Sequence, residues 1–93
     1  MTFKLVKARR VKPLPGYRLD LTFSDGSSGV ADISAFVLSG GEVVQPLVDE
    51  AYFARVFLEM GVPTWPNGCD IDPTNARMKL EAAGLLKEQD AAA

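Results

Sequence analysis

The sequence predicts a single α+β domain. Elements in the order β-β-β-α-β-β-α would form an antiparallel sheet of about five strands with helices packed on one face. Three observations predict this class. The first third of the chain alternates apolar and polar residues, as half-buried strands do. Asp-Gly and Asn-Gly dipeptides, which favour tight turns, separate apolar runs. Beyond the last proline the chain is rich in Ala, Leu, Glu and Lys, which are strong helix formers.

The first three strands are predicted to form a meander. Their predicted bounds are residues 3–11, 17–23 and 28–33. The second strand is the clearest, because its odd-numbered residues from Tyr17 to Phe23 are apolar and the residues between them are polar. The first strand needs a bulge at residues 7–9 to restore its alternation. We expect a turn over residues 13–16 before the second strand and an Asp25-Gly26 hairpin turn after it.

Two short helices are predicted in the middle of the chain. The first covers residues 35–38 and is capped by Asp32 or Ser34, whose side chains can accept from free backbone N–H groups. The second opens at Asp49 and Glu50, because the helix dipole favours acidic residues in the first turn. Residues 43–47 are expected to form a connector between them.

A second hairpin and a terminal helix complete the predicted domain. The hairpin pairs residues 56–60 with residues 62–65. Asp72 is the expected N-cap of the terminal helix, and Pro73 its first residue, because proline has no N–H to lose there. Gly84 is expected to end or fray this helix.

Length and composition fix the broad class. The chain has 93 residues, of which 47% are hydrophobic and 24% charged, a composition typical of globular proteins. We assign residues 1–86 to the domain and residues 87–93 to a disordered polar and alanine tail. No apolar run reaches the roughly 18 residues of a membrane span, and the N-terminus lacks a secretory signal. The single cysteine excludes an internal disulfide and fits a reducing compartment, so a cytoplasmic protein without membrane contact is expected.

Positive charge is concentrated at the N-terminus. Six of the ten basic residues lie in the first eighteen positions, where there is no acidic residue. The candidate basic surface consists of Lys7, Arg9, Arg10, Lys12 and Arg18. Such a surface could contact nucleic acid, although the sequence pI of 5.0 argues against non-specific binding by the whole domain. The favoured interpretation is that these charges protect an exposed edge strand from aggregation.

Residues 62–73 contain the only tryptophan and the only cysteine. Trp65 precedes a proline, and Asn67-Gly68 favours a tight turn, so this stretch should connect the sheet to the terminal helix. The candidate interaction surface consists of Trp65, Pro66, Asn67, Gly68 and Asp70, because tryptophan is enriched at binding hot spots. The alternative, which we favour, is that Trp65 fills the core between the sheet and the last helix.

Little in the sequence indicates catalysis. The chain has no histidine, the commonest general base and metal ligand. Asp70 and Asp72 could bind a metal or act as paired carboxylates, but a turn residue and an N-cap are the favoured interpretations. Cys69 has no histidine to activate it and is better interpreted as a structural cysteine. We therefore predict no catalytic residue, no metal ligand and no cofactor.

Three motifs in order carry a family resemblance. They are PLPGYRLDLTFSDG at residues 13–26, PLVDEAYFARV at 46–56 and WPNGCDIDP at 65–73. Together they resemble domain-of-unknown-function family 2442 over about residues 3–75. The resemblance implies a small bacterial, cytoplasmic α+β domain without an assigned activity. Some members of that family carry a helix-turn-helix domain after this one, which suggests regulation, but we expect no such domain after Pro73 here.

Three functions remain open. The first is a small non-catalytic protein-interaction or regulatory module of a bacterial or phage system, with a protein partner. The second is a nucleic-acid-binding accessory protein that uses the basic N-terminal strand. The third is a minimal metal-binding or enzymatic site at Asp70 and Asp72. A homodimer is also expected, through an edge strand or the tryptophan surface.

Overall fold

The strands form two antiparallel sheets rather than one. The computed structural model describes residues 5–88. The first sheet is a meander in the order β1 (Ala8–Leu14), β2 (Arg18–Phe23) and β3 (Ser28–Asp32). The second sheet is the hairpin of β4 (Phe57–Glu59) and β5 (Val62–Thr64). The α+β class is confirmed, but the prediction of five strands in one sheet is wrong.

The outer edge of β1 explains why the two sheets stay separate. Ala8 N–H donates to the carbonyl of Gly61 in the β4–β5 turn (2.8 Å). The pairing of β1 with β2 then shifts between Ala8 and Arg10, which confirms the predicted bulge. A bulge bends the strand, and Pro13 further along has no N–H to donate. The second hairpin therefore lies beside β1 without extending the ladder.

The bounds of the first strand differ from the prediction. Residues 5–7 are not in a strand, and residues 3 and 4 lie outside the described part of the chain. Instead, Val6 N–H donates to the Thr74 hydroxyl, and the same hydroxyl donates to the Val6 carbonyl, each at 3.1 Å. At its other end β1 continues to Leu14, so the predicted turn over 13–16 begins later, at residue 15. It turns through positive φ at Gly16 and Tyr17.

The α-helices lie close to the predicted positions, and a 3-10 helix that was not predicted forms in the connector between the first two. They are α1 (Ser34–Val37), a 3-10 helix (Gln45–Val48), α2 (Glu50–Phe53) and α3 (Pro73–Ala82). Asp49 caps α2 and Asp72 caps α3, each through Oδ1 at 3.0 Å from a backbone N–H, which confirms both expected starts. Gly84 follows the end of α3 with a positive φ of 74°. The longest helix has ten residues, so none within residues 5–88 could span a bilayer, which requires about 20.

The core lies under the inner face of the meander. Leu19, Leu21 and Phe23 of β2 are fully buried, as their alternation predicts. Leu80 of α3 packs over Gly29 of β3, where a Cβ atom would lie 2.9 Å from Leu80 Cδ1. Because only a glycine leaves this space, α3 approaches the β3 backbone closely.

The residues after α3 return to the sheet. Lys87 exchanges two backbone hydrogen bonds with Ser28, at 2.8 and 2.7 Å. The predicted domain boundary at residue 86 falls directly before this pairing. Residues 89–93 of the predicted tail lie outside the described residues.

Candidate functional site

Trp65 lies in the core. Its side chain is fully buried, and its ring centroid lies 5.7 Å from that of Phe53. The indole Nε1–H donates to the Phe53 carbonyl at 2.9 Å, so the polar group of the ring is satisfied inside the protein. Trp65 therefore offers no surface to a partner. A homodimer that formed through the tryptophan surface would have no exposed ring to use.

The other members of the candidate interaction surface are exposed. Asn67 fixes the turn that they form: its Nδ2 donates to the Val43 carbonyl (2.8 Å) and its Oδ1 accepts from Cys69 N–H (3.1 Å). Gly68 has a φ of 89°, as an Asn-Gly turn requires. The polar side chain of this turn is thus already engaged, and its two hydrogen bonds hold the chain between β5 and α3.

The three side chains that could carry chemistry are separated by their environments. Cys69 is buried, and burial, followed by the nearby Asp70 carboxylate, raises the pKa of its thiol. Asp72 is the cap of α3. Asp70 is exposed, and no residue within 5–88 forms an ion pair with it. Within the same residues, no group of three or more Cys, Asp or Glu side chains lies close enough to hold a metal ion.

The basic residues lie at the surface with acidic residues among them. All five predicted members are exposed: Lys7, Arg9, Arg10, Lys12 and Arg18. The strand register places Arg10, Lys12 and Arg18 on the outer face of the meander. On that face Asp20 is opposite Lys12, and Asp32 is opposite Arg18. The face is therefore close to neutral, which weakens its attraction for a phosphate backbone.

A groove between the meander and the last helix is the feature that the sequence did not indicate. It lies between β3, α1 and α3 and has a volume of about 470 Å³, within the roughly 300–1,000 Å³ of ligand sites. Apolar side chains from distant parts of the chain line it, among them Val30, Phe36, Ile71 and Leu85. Three of these four are large hydrophobic residues that remain exposed, namely Val30, Phe36 and Leu85.

The rim of the groove is acidic. Its charged side chains are Asp32, Asp70, Asp72 and Lys79. Hydrogen bonds from the side chain and then the backbone of Ser34 lower the pKa of Asp32, so this carboxylate is ionised at neutral pH. Three acids face Lys79 and the Arg18 opposite Asp32, so the rim keeps a small negative charge, which favours a basic group in any occupant.

The register of the meander shows which backbone groups of β3 face outward. Antiparallel partners alternate between pairs that exchange hydrogen bonds and pairs that do not. Phe23 N–H donates to the Ser27 carbonyl (2.8 Å), and Ile33 N–H donates to the Tyr17 carbonyl (2.9 Å). The odd-numbered residues of β3 therefore bond to β2, and its even-numbered residues direct N–H and C=O away from the sheet.

This outer edge of β3 is only partly covered. Ser28 at its start is paired with Lys87, but the chain then turns away, because Leu85 N–H donates to the Leu80 carbonyl instead (2.9 Å). Within residues 5–88, the N–H and C=O of Val30 and the N–H of Asp32 have no hydrogen-bond partner. An open strand edge thus borders the groove, and such an edge can pair with another chain.

Arg77, like the groove, was not indicated by the sequence. It is buried, and its Nε donates to Asp25 Oδ2 (3.0 Å) and to Ser27 Oγ (3.2 Å). This contact ties α3 to the β2–β3 turn and so fixes one wall of the groove. The signal was its position three residues before Leu80, which places both on the same face of the helix.

Comparison with known proteins supports the family that the three motifs indicated. Residues 8–75 match the family described as "Protein of unknown function (DUF2442)". Neither the curated proteins nor the solved structures give a match to the chain. Because the family match covers well over half of the 93 residues, the chain belongs to the DUF2442 family.

Proposed function

We propose that the protein is a small non-catalytic protein-interaction module with a regulatory role in a bacterial or phage system. Its partner binds in the groove between β3 and α3. The observation that carries this proposal is the open edge of β3 beside exposed apolar side chains. Unpaired backbone groups next to an apolar surface are what a protein segment can use for both hydrogen bonding and burial.

The other surfaces support a binding role less well. Three of the five basic residues, Arg10, Lys12 and Arg18, share their face with Asp20 and Asp32, so little net charge remains on that face for nucleic acid. Asp72 already serves as a helix cap, which leaves Asp70 as the free carboxylate of the pair. The groove combines volume, apolar lining and free backbone groups in one place.

The proposal is tested by blocking the groove without disturbing the fold. Ala83 lines the groove, is exposed and is the C-cap of α3, so Ala83→Arg should place a long side chain across it. Ala54 is the matched control, because it is also exposed and is also the C-cap of a helix, α2, which lies away from the groove. Proteins that co-purify from the cells encoding the chain are quantified with each variant.

We expect at least one protein that is retained by the native chain and by Ala54→Arg but lost with Ala83→Arg. Such a pattern assigns the interaction to the groove rather than to general adhesion. Retention of every captured protein by Ala83→Arg, with circular dichroism confirming an intact fold, would contradict the proposal.

A further inference from the structure

We infer that the partner supplies an extended segment that adds as a fourth strand to the free edge of β3, with an apolar side chain in the groove and a basic side chain on its acidic rim. This inference deepens the proposed function and rests on it. It names the chemistry of the occupant: a peptide segment in β conformation, not a helix and not a nucleic acid.

The backbone of β3 offers hydrogen-bonding groups along the groove. Lys87 already forms a two-bond bridge with Ser28, so this edge accepts an antiparallel chain at its first position. The same ladder is available two and four residues further along, at Val30 and Asp32. A segment of only a few residues would therefore continue a row of hydrogen bonds that the protein itself begins.

The apolar lining of the groove can receive side chains of an added strand. Side chains of an added strand alternate between two faces, so every second residue would face the apolar lining. That lining includes Ile71 before α3 and Leu80 within it. Exposed Phe36 on α1 and Leu85 after α3 flank the same space and would be covered by the segment.

The charged side chains of the rim favour a basic segment. Asp70 and Asp72 outnumber Lys79 on the rim, whereas Asp32 has Arg18 opposite it. Asp70 has no ion-pair partner within residues 5–88, so a lysine or arginine of the segment has a free carboxylate to meet. An acidic segment would be repelled, so the groove prefers segments that carry positive charge.

A second copy of the chain fits this edge poorly. Two β3 edges would bring two acidic rims together. The basic β1 edge has a complementary charge, but Pro13 removes a donor and the bulge at residues 8–10 bends the strand. A separate peptide segment avoids both obstacles.

The test uses the full chain and a displayed library of random seven-residue peptides. We expect enrichment of sequences that combine alternating apolar residues with at least one lysine or arginine. Each enriched peptide is then synthesised in two N-methylated forms, with the methyl groups on alternate backbone nitrogens. One form should bind about tenfold more weakly, because it lacks the N–H groups that face β3, and the other should bind normally.

Protein variants give the reciprocal measurement. Val30→Pro removes an outward N–H at an edge position and should weaken binding by about tenfold, with circular dichroism checking that the fixed φ of proline leaves the fold intact. Val30→Thr is the matched control, since it keeps the N–H and a β-branched side chain. Asp70→Asn should weaken basic peptides by about threefold at low salt, whereas Asp20→Asn on the outer face of the meander should not.

The outcomes separate this inference from the proposed function. Some peptides could lose binding to Ala83→Arg and still bind Val30→Pro, with both N-methylated forms also binding normally. That result would contradict strand addition but not binding in the groove. Peptides that remain bound to Ala83→Arg would contradict the groove itself. Failure to enrich any peptide overturns the strand-addition inference, and the co-purification pattern then decides the proposed function. A salt-resistant dimer by light scattering that excludes the peptides would show that a second copy occupies the edge.

Discussion

Trp65 occupies the position where the second hairpin, α2 and the last connection meet. Its ring is buried against Phe53, and its single polar group donates to the Phe53 carbonyl. A tryptophan is suited to this position because it combines a large apolar surface with one donor. Trp65, the first residue of the candidate interaction surface, therefore stabilises the fold from inside the core.

Replacing Trp65 tests this role. Trp65→Phe should lower the free energy of unfolding by about 2 kcal/mol, because it leaves a void and removes the indole hydrogen bond to the Phe53 carbonyl, which then keeps only Val56 N–H at 3.3 Å. Urea denaturation followed by circular dichroism measures the change. Tyr52→Phe is the control, since its hydroxyl has no partner within residues 5–88, and it should cost less than about 0.5 kcal/mol. Equal stability of the native chain and Trp65→Phe would contradict the assignment.

Cys69 should react as a protected thiol. Burial and the Asp70 carboxylate raise its pKa, so the thiolate fraction in the folded protein lies below that of an ordinary cysteine at any pH near 8. Raising the pH through the shifted pKa should accelerate alkylation by iodoacetamide, and unfolding should accelerate it further. A native rate equal to the unfolded rate at pH 8 would show that the thiol is neither buried nor shifted.

At the scale of elements, the close approach of α3 to β3 shapes the groove. Gly29 permits it, because a Cβ there would lie 2.9 Å from Leu80 Cδ1 and 3.1 Å from the Leu85 carbonyl oxygen. The Leu80 side chain can rotate, but the Leu85 oxygen belongs to the backbone and can give way only if the segment after α3 shifts. The distance between helix and strand therefore depends on this one glycine.

Gly29→Ala should destabilise the protein by about 1–3 kcal/mol, because it overpacks the contact between strand and helix. Gly41→Ala is the matched control: its nearest neighbour would be Val44 Cγ2 at 3.7 Å, an ordinary contact. Thermal unfolding of the two variants compares them directly. A melting temperature for Gly29→Ala at or above that of Gly41→Ala would mean that α3 does not pack on β3 as described.

For the whole molecule, local signals in the sequence predicted most of the secondary structure. The alternation from Leu19 to Phe23 identified β2, and aspartates at positions 49 and 72 identified two helix starts. These signals work because a strand face or a cap depends on neighbours a few residues away. They also led to the correct family, through motifs that consist largely of these turns and caps.

Features that depend on distant residues were not predictable in this way. Whether β4 joins β1 is decided by a bulge and a proline on the facing strand, so the number of sheets could not be inferred from strand patterns. Arg77 is buried because Asp25 lies 52 positions earlier in the chain. The groove combines residues from β3, α1 and the end of α3, none of which is unusual alone. The expected homodimer stays a prediction.

The most direct measurement of the central claim is amide hydrogen exchange, resolved by residue, in the free protein and with a selected peptide bound. The open edge of β3 predicts fast exchange at Val30 and Asp32, beside slow exchange at Ala31, which bonds to β2. Saturating peptide should then protect Val30. Slow exchange at Val30 in the free protein, or exchange there that bound peptide leaves unchanged, would contradict an open edge that receives a partner strand.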